Sequence, residues 1–137
     1  EAGGRAMIGL DTNILVRYLV QDDATQARAA AAAIEGAASR GDGLFLAAVT
    51  LCELVWVLES AYGRPRTAIA AAVEQIARTG SFTIEHADHV RAAVAVYRTT
   101  SADFADALVG RINEAAGCEH TVTFDRGLKR VPQFRVL

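Results

Sequence analysis

The chain has 137 residues, 52% of them apolar and 22% charged, with 14 basic and 16 acidic side chains and a net charge of −2. That length suits one domain burying about two thirds of its unfolded surface, and 2 Pro, 11 Gly and 2 Cys exclude collagen, disorder and a disulfide scaffold. No uncharged stretch reaches the roughly 18–20 residues of a membrane helix, and the charge balance supplies no global basic field of the kind that marks many nucleic-acid binders.

Glu1 to Ala6 precede the only methionine and the patterned sequence. They are expected to be an added remnant or a short extension, with 7–137 as the folded unit. No basic segment followed by an apolar core is seen, so no signal peptide is expected. Met7-Ile-Gly-Leu-Asp11 is predicted as a short buried strand ending on an acid. Asn13 to Val20 is predicted as a short helix with Ile14, Leu15, Tyr18 and Leu19 on its apolar stripe. Asp22 or Asp23 is expected to cap a long Ala-rich helix to about Ala38, broken by Gly41-Asp-Gly43. Leu44 to Val49 has strand length, and Thr50 to Tyr62 is a helix apolar nearly all round, which implies burial on several sides.

Gly63 stops that helix, and Pro65 stands where a first-turn proline belongs. Ile69, Ala72, Val73 and Ile76 mark the next helix, Ser81 to Ile84 a short strand, and Val90, Ala93, Val94 and Tyr97 another helix. Ser101 is expected to cap a helix carrying Phe104, Leu108 and Ile112, ending near Gly117. His120 to Phe124 and Phe134 to Val136 complete the strands. Strands separated by helices without hairpin signals imply parallel pairing. The expected fold class is α/β, a three-layer α/β/α sandwich with a short central, mainly parallel sheet. Cys52 and Cys118 lie in apolar runs, as buried thiols of a reducing cytoplasm do.

Ligands gather beyond the carboxyl ends of strands in such sheets, and Asp11 and Asp125 both stand there. Each alone could merely cap the element after it. Glu53 is either the far half of a capping box with Thr50 or a carboxylate on a nearly apolar helix that needs a partner or a cation. Asp103 suits a first helical turn through the helix dipole. Asp106 does not suit a helix interior; it shares a face with Asp103, Gly110 and Asn113 that is either solvent or a place of close approach. Such carboxylates repel one another unless a hard divalent cation neutralises them. His86-x-x-His89 has no further Cys or His partner and is expected to be a solvated helix entry, with no zinc role.

Met7-Ile-Gly-Leu-Asp-Thr-Asn-Ile-Leu-Val-Arg-Tyr-Leu19 resembles the opening of PIN-domain proteins, in particular the VapC-type ribonuclease toxins. Three more blocks match in order: Thr50-Leu-Cys-Glu-Leu-Val-Trp-Val-Leu58, Ala102-Asp-Phe-Ala-Asp-Ala-Leu108 and Thr121-Val-Thr-Phe-Asp125. The resemblance implies a PIN-like fold and Mg²⁺- or Mn²⁺-dependent hydrolysis of RNA phosphodiesters. Its acid quartet falls on Asp11, Glu53, Asp106 and Asp125. Asp103 is an auxiliary acid, and either it or Asp106 is the principal third member. Asp11, Asp103, Asp106 and Asp125 would hold the metal, while Asn13 and Thr123 would orient the first and last acids. A homodimer and a VapB-type antitoxin partner are implied as well. Arg17, Arg126, Lys129 and Arg130 are candidate phosphate contacts because they lie near these acids in the chain.

Two other classes compete. A catalytically inactive PIN-like module would bind protein partners and keep no need for the acids. A phosphoacceptor receiver domain needs a mid-chain acid after its strand, yet Phe45 to Thr50 has none. Setting aside the five acids turns the total of −2 into +3 for the remaining chain, so the acidity is expected to be local.

Overall fold

A computed structural model describes residues 6–137, so most of the expected remnant at 1–6 lies outside the described residues. The elements in order are β1 (Met7–Gly9), α1 (Thr12–Val20), α2 (Ala24–Arg40), β2 (Gly43–Leu46), α3 (Ala48–Ser60), α4 (Arg66–Arg78), β3 (Phe82–Ile84), α5 (Ala87–Thr99), α6 (Phe104–Ala115), β4 (Thr121–Thr123) and β5 (Phe134–Val136), with a 3₁₀ turn at Arg126–Leu128. β2 is central, pairing in parallel with β1 (Ile8 opposite Leu44) and β3 (Phe45 opposite Thr83). β4 and β5 form a second parallel pair, Val122 opposite Arg135. Every described pairing is parallel; helices connect β1, β2 and β3, while residues 124–133 with the 3₁₀ turn connect β4 to β5. The architecture is the α/β/α sandwich expected.

Local chemistry explains most boundaries. The Asp23 side chain accepts the Gln26 amide at 3.0 Å and so caps α2, while Gly41 closes it at φ 78°, which glycine tolerates without strain. Leu15, Leu46, Leu51, Leu54, Ile69 and Phe104 are fully or almost fully buried in the main core, shared by α1, α3, α4, α5 and α6. A smaller cluster of Ile34, Ala37 and Leu44 seats α2 on the sheet.

Several expectations need correction. β1 is not buried: Met7 is exposed and Ile8 only half-buried, because β1 is an edge of its sheet. α1 starts at Thr12, one residue early, with Asp11 at its N-cap. α3 starts at Ala48, two residues before Thr50, so Thr50 lies buried inside the helix and caps nothing. The apolar circumference of α3 is not fully covered either, since Val49 is 64% and Trp56 67% exposed. Pro65 takes the N-cap position of α4, ahead of its first turn. Ser101 does not cap α6; Asp103 occupies the N-cap position without a side-chain cap bond. Cys52 is half-buried and Cys118 is exposed in the turn after α6, so neither is a deeply buried thiol. His86 is exposed at the entry to α5, in the left-handed region at φ 56°.

The α6 face bearing Gly110 and Asn113 proves to be a place of close approach. Gly110 is buried, and a Cβ there would stand 2.7 Å from the Phe134 ring of β5. Asn113 Nδ2 donates to Thr121 Oγ1 of β4 at 3.1 Å. The β4–β5 pair therefore lies against α6. Gly110→Val should cost about 1–3 kcal/mol by overpacking. Gly36→Ala, whose Cβ meets only the mobile end of Arg40 at 3.3 Å, should gain about 0.5–1 kcal/mol from helix propensity. Urea denaturation of both variants checks the contrast.

Candidate active site

Four segments deliver the acids: the end of β1 (Asp11), α3 (Glu53), the start of α6 (Asp103 and Asp106) and the end of β4 (Asp125). Asp11 Oδ1 accepts the Thr12 amide at 2.8 Å, which fixes the carboxylate at the mouth of α1. The next side chain links two of the segments. Thr12 Oγ1 donates to Glu53 Oε1 at 2.8 Å, and Thr12 is buried. Glu53 is thus held across 41 residues of sequence by a hydroxyl, and it does not reach back to Thr50 as a capping box requires.

Further links come from electrostatics. The half-buried Cys52 thiol is pushed up by burial first and then by the charges of Asp103 and Glu53. Asp106 is pushed above the ordinary carboxylate range by burial, then by Asp103, then by Asp125. Hydrogen bonds join Asp11 to Thr12 and Thr12 to Glu53, and the charges of Asp103 and Asp125 both act on Asp106. At the far end, Asp125 Oδ1 accepts the Gly127 amide at 2.8 Å, and the Asp125 amide donates to Thr123 Oγ1 at 3.0 Å.

The turn that carries Asp103 is braced from α4. Arg66 Nη2 donates to the carbonyls of Tyr97 (2.7 Å), Thr100 (3.0 Å) and Ala102 (2.5 Å). Its guanidinium lies 3.8 Å from the centre of the Tyr97 ring, and the Tyr97 hydroxyl donates to Glu59 at 2.6 Å. The second acid of α3 is therefore structural. Burial and the Glu59 carboxylate raise the Tyr97 hydroxyl well above its usual range.

Sequence reasoning missed Thr12 and Arg66. Thr12 carried a signal, a hydroxyl directly after a strand-terminal acid; Arg66 carried none, since its partners are carbonyls. Asn13 is exposed and makes no side-chain hydrogen bond among the described residues; Thr12 engages Asp11 and Glu53 in its place. Arg17 is occupied by Asp22 (3.0 Å), Gln26 (2.6 Å) and Tyr62 (3.3 Å). Arg126, Lys129 and Arg130 are exposed and make no ion pair among the described residues.

The acids suit a hard divalent cation by their chemistry, because a positive charge would offset both the burial and the repulsion that lift Asp106. Among the described residues, however, no three of these side chains stand close enough to ligate one ion directly. Magnesium keeps several of its waters in such sites, so partial ligation by carboxylates is compatible with the donor set.

Acids carried by two strand ends and two helices of an α/β/α sandwich with parallel strands mark the class. The PIN domain profile matches residues 8–133, and the chain belongs to the PIN-domain family. It is similar to a protein of Aquifex aeolicus (strain VF5) named VapC ribonuclease, at 27% identity over 122 residues covering 89% of this chain and 90% of that protein. No solved structure matches.

The raised Asp106 proton affinity has a signed consequence. A carboxyl lifted in the native state favours folding fully below its ordinary titration range, and that contribution is lost as pH rises through the lifted value. In metal-free buffer, Asp106→Asn should therefore melt about 1–3 °C above the parent chain at pH 7. The difference should vanish near pH 3, as read by thermal circular dichroism at both pH values.

Proposed function

We propose that this chain is a metal-dependent endoribonuclease, the toxin of a toxin–antitoxin pair, with residues 7–137 acting as one PIN domain in the cytoplasm. The observations that carry it are Asp106, lifted by burial and by the charges of Asp103 and Asp125, and Glu53 held by Thr12 beside Asp11, in a chain similar to a VapC ribonuclease along nearly its whole length.

Asp11, Asp106 and Asp125, with Asp103 as auxiliary, would hold Mg²⁺ or Mn²⁺. When bound, such a cation lowers the pKa of water and offsets charge on phosphoryl oxygens. The chain's own groups divide the remaining work. Thr12 occupies one oxygen of Glu53, leaving the other to take a proton from the attacking water. Thr123 and the Gly127 amide fix Asp125, while Arg66 steadies the turn before Asp103. Attack of water on phosphorus breaks the P–O3′ bond and leaves a 5′-phosphate and a 3′-hydroxyl. No protein nucleophile is required.

Two surfaces support partners. Val49 and Trp56, seven residues apart and so on one face of α3, are open to solvent and are assigned to a homodimer contact. An apolar groove of about 330 Å³ between α1, α2 and α4, lined by Leu15, Leu19, Ile34, Ala72 and Ile76, suits an amphipathic helix of an antitoxin.

The test is cleavage of RNA by the purified chain with Mg²⁺ or Mn²⁺, followed by mapping of the ends. Asp11→Asn, which keeps a good N-cap, should lower the rate more than about 100-fold, beyond the 10–100-fold usual for residues one shell further out. Undiminished cleavage in EDTA, or 2′,3′-cyclic phosphate ends, would contradict the mechanism. A folded chain that binds partners and cleaves no RNA would favour the inactive PIN-like module. Trp56→Glu should convert a dimer to a monomer in sedimentation velocity.

A further inference from the structure

Beside the acids lies a crevice of about 390 Å³ whose lining differs from theirs. One wall is the end of α5 and the turn after it, Thr99, Thr100 and Ser101; the other is Arg126, Lys129 and Arg130. Both walls run directly into the acid cluster, since Ser101 is two residues from Asp103 and Arg126 follows Asp125. Lys129 is the only lysine of the chain. Five of the chain's arginines, Arg17, Arg40, Arg91, Arg98 and Arg111, are paired with carboxylates. The three cations of the crevice have no such partner among the described residues.

We propose that this crevice is a backbone-phosphate subsite for RNA, holding the strand next to the bond that is cut; this rests on the ribonuclease reading above. Its position is rigid. Ala102 from one wall and Leu128 and Val131 from the other are buried together in their own apolar cluster, so the two sides are pinned at their base. The 3₁₀ turn that carries Arg126 starts at Asp125, whose side chain caps it. The acid Asp125 and the cations of the crevice wall are therefore carried by one short stretch of chain.

The end of α5 would by itself oppose an anion, because the carbonyl end of a helix is negative. Arg66 removes that obstacle by binding the carbonyls of Tyr97, Thr100 and Ala102. The hydroxyl protons of Thr99 and Thr100 are spent on the carbonyls of Ala95 and Val96. Attraction must then come from the three cations, with Ser101 as an added donor. No aromatic side chain lines the crevice, so it offers bases no stacking surface and grips the backbone without reading sequence.

The experiment compares Asp11→Asn with Asp11→Asn carrying Arg126→Gln, Lys129→Gln and Arg130→Gln. Binding of a fluorescein-labelled single-stranded RNA is followed by anisotropy across a salt series. All three cations are exposed, so the fold should survive, and matched circular dichroism melts verify it. Three lost phosphate contacts should flatten the slope of log affinity against log salt by about 2 and weaken binding at least about tenfold at 0.1 M salt. The loss should be equal for RNAs of different sequence. Replacing Arg91 and Arg111 by Gln in the same background should leave the slope unchanged. An unchanged slope in the triple variant, or an equal change in the control, overturns the proposal. Cleavage by the chain with Asp11 intact is measured separately, so failure of the nuclease reading shows there and failure of the subsite shows in the slope.

Discussion

Carboxylates that repel one another have to be held near each other for this site to exist, and the rest of the molecule is organised around that constraint. Asp106 feels Asp103 on its own chain segment and Asp125 from a different strand. Left to themselves, such groups would separate or take up protons. The fold prevents separation by fastening each carrier. Asp11 is tied to the start of α1, Glu53 is tied to Thr12, and Asp125 is tied to its own 3₁₀ turn. Arg66 fastens the turn before Asp103 from a helix that contributes no acid. The apolar core beneath, from Leu15 to Phe104, supplies the stability that offsets the repulsion.

Close packing of α6 on the β4–β5 pair completes the arrangement. Gly110 allows the Phe134 ring to approach where any side chain would collide, and Asn113 secures β4 through Thr121. That contact brings β4, and with it Asp125, against the helix that carries Asp106, where the Asp125 charge acts on it. The chain that follows Asp125 then lines the neighbouring crevice with Arg126, Lys129 and Arg130. A chain of net charge −2 can thus present a negative pocket and a positive groove side by side, and its average charge describes neither.

The order of helices and strands was legible because periodicity and breakers carry it: the α2 stop at Gly41 and the buried stripe Val90, Ala93, Val94 and Tyr97 of α5 follow from local pattern. Boundaries were less legible where tertiary contacts set them. α3 begins at Ala48, before the hydroxyl that local capping rules select, because the Ala48 amide is met by Glu85 from beyond β3 at 2.9 Å. The partner of Glu53 lay 41 residues away, a distance no local rule spans, and the Arg66 brace ends on carbonyls that every residue owns. The two-way reading of the Gly110 face could be settled only by knowing what packs on it.

The central claim is that the fold confines uncompensated carboxylates which a divalent cation relieves. Carbon-13 NMR titration of the aspartate carboxyls, with and without Mg²⁺, tests it most directly. In metal-free buffer Asp106 should titrate above the ordinary aspartate range, and Mg²⁺ should carry its titration downward. An Asp106 that titrates as a free aspartate and does not respond to Mg²⁺ would contradict the account.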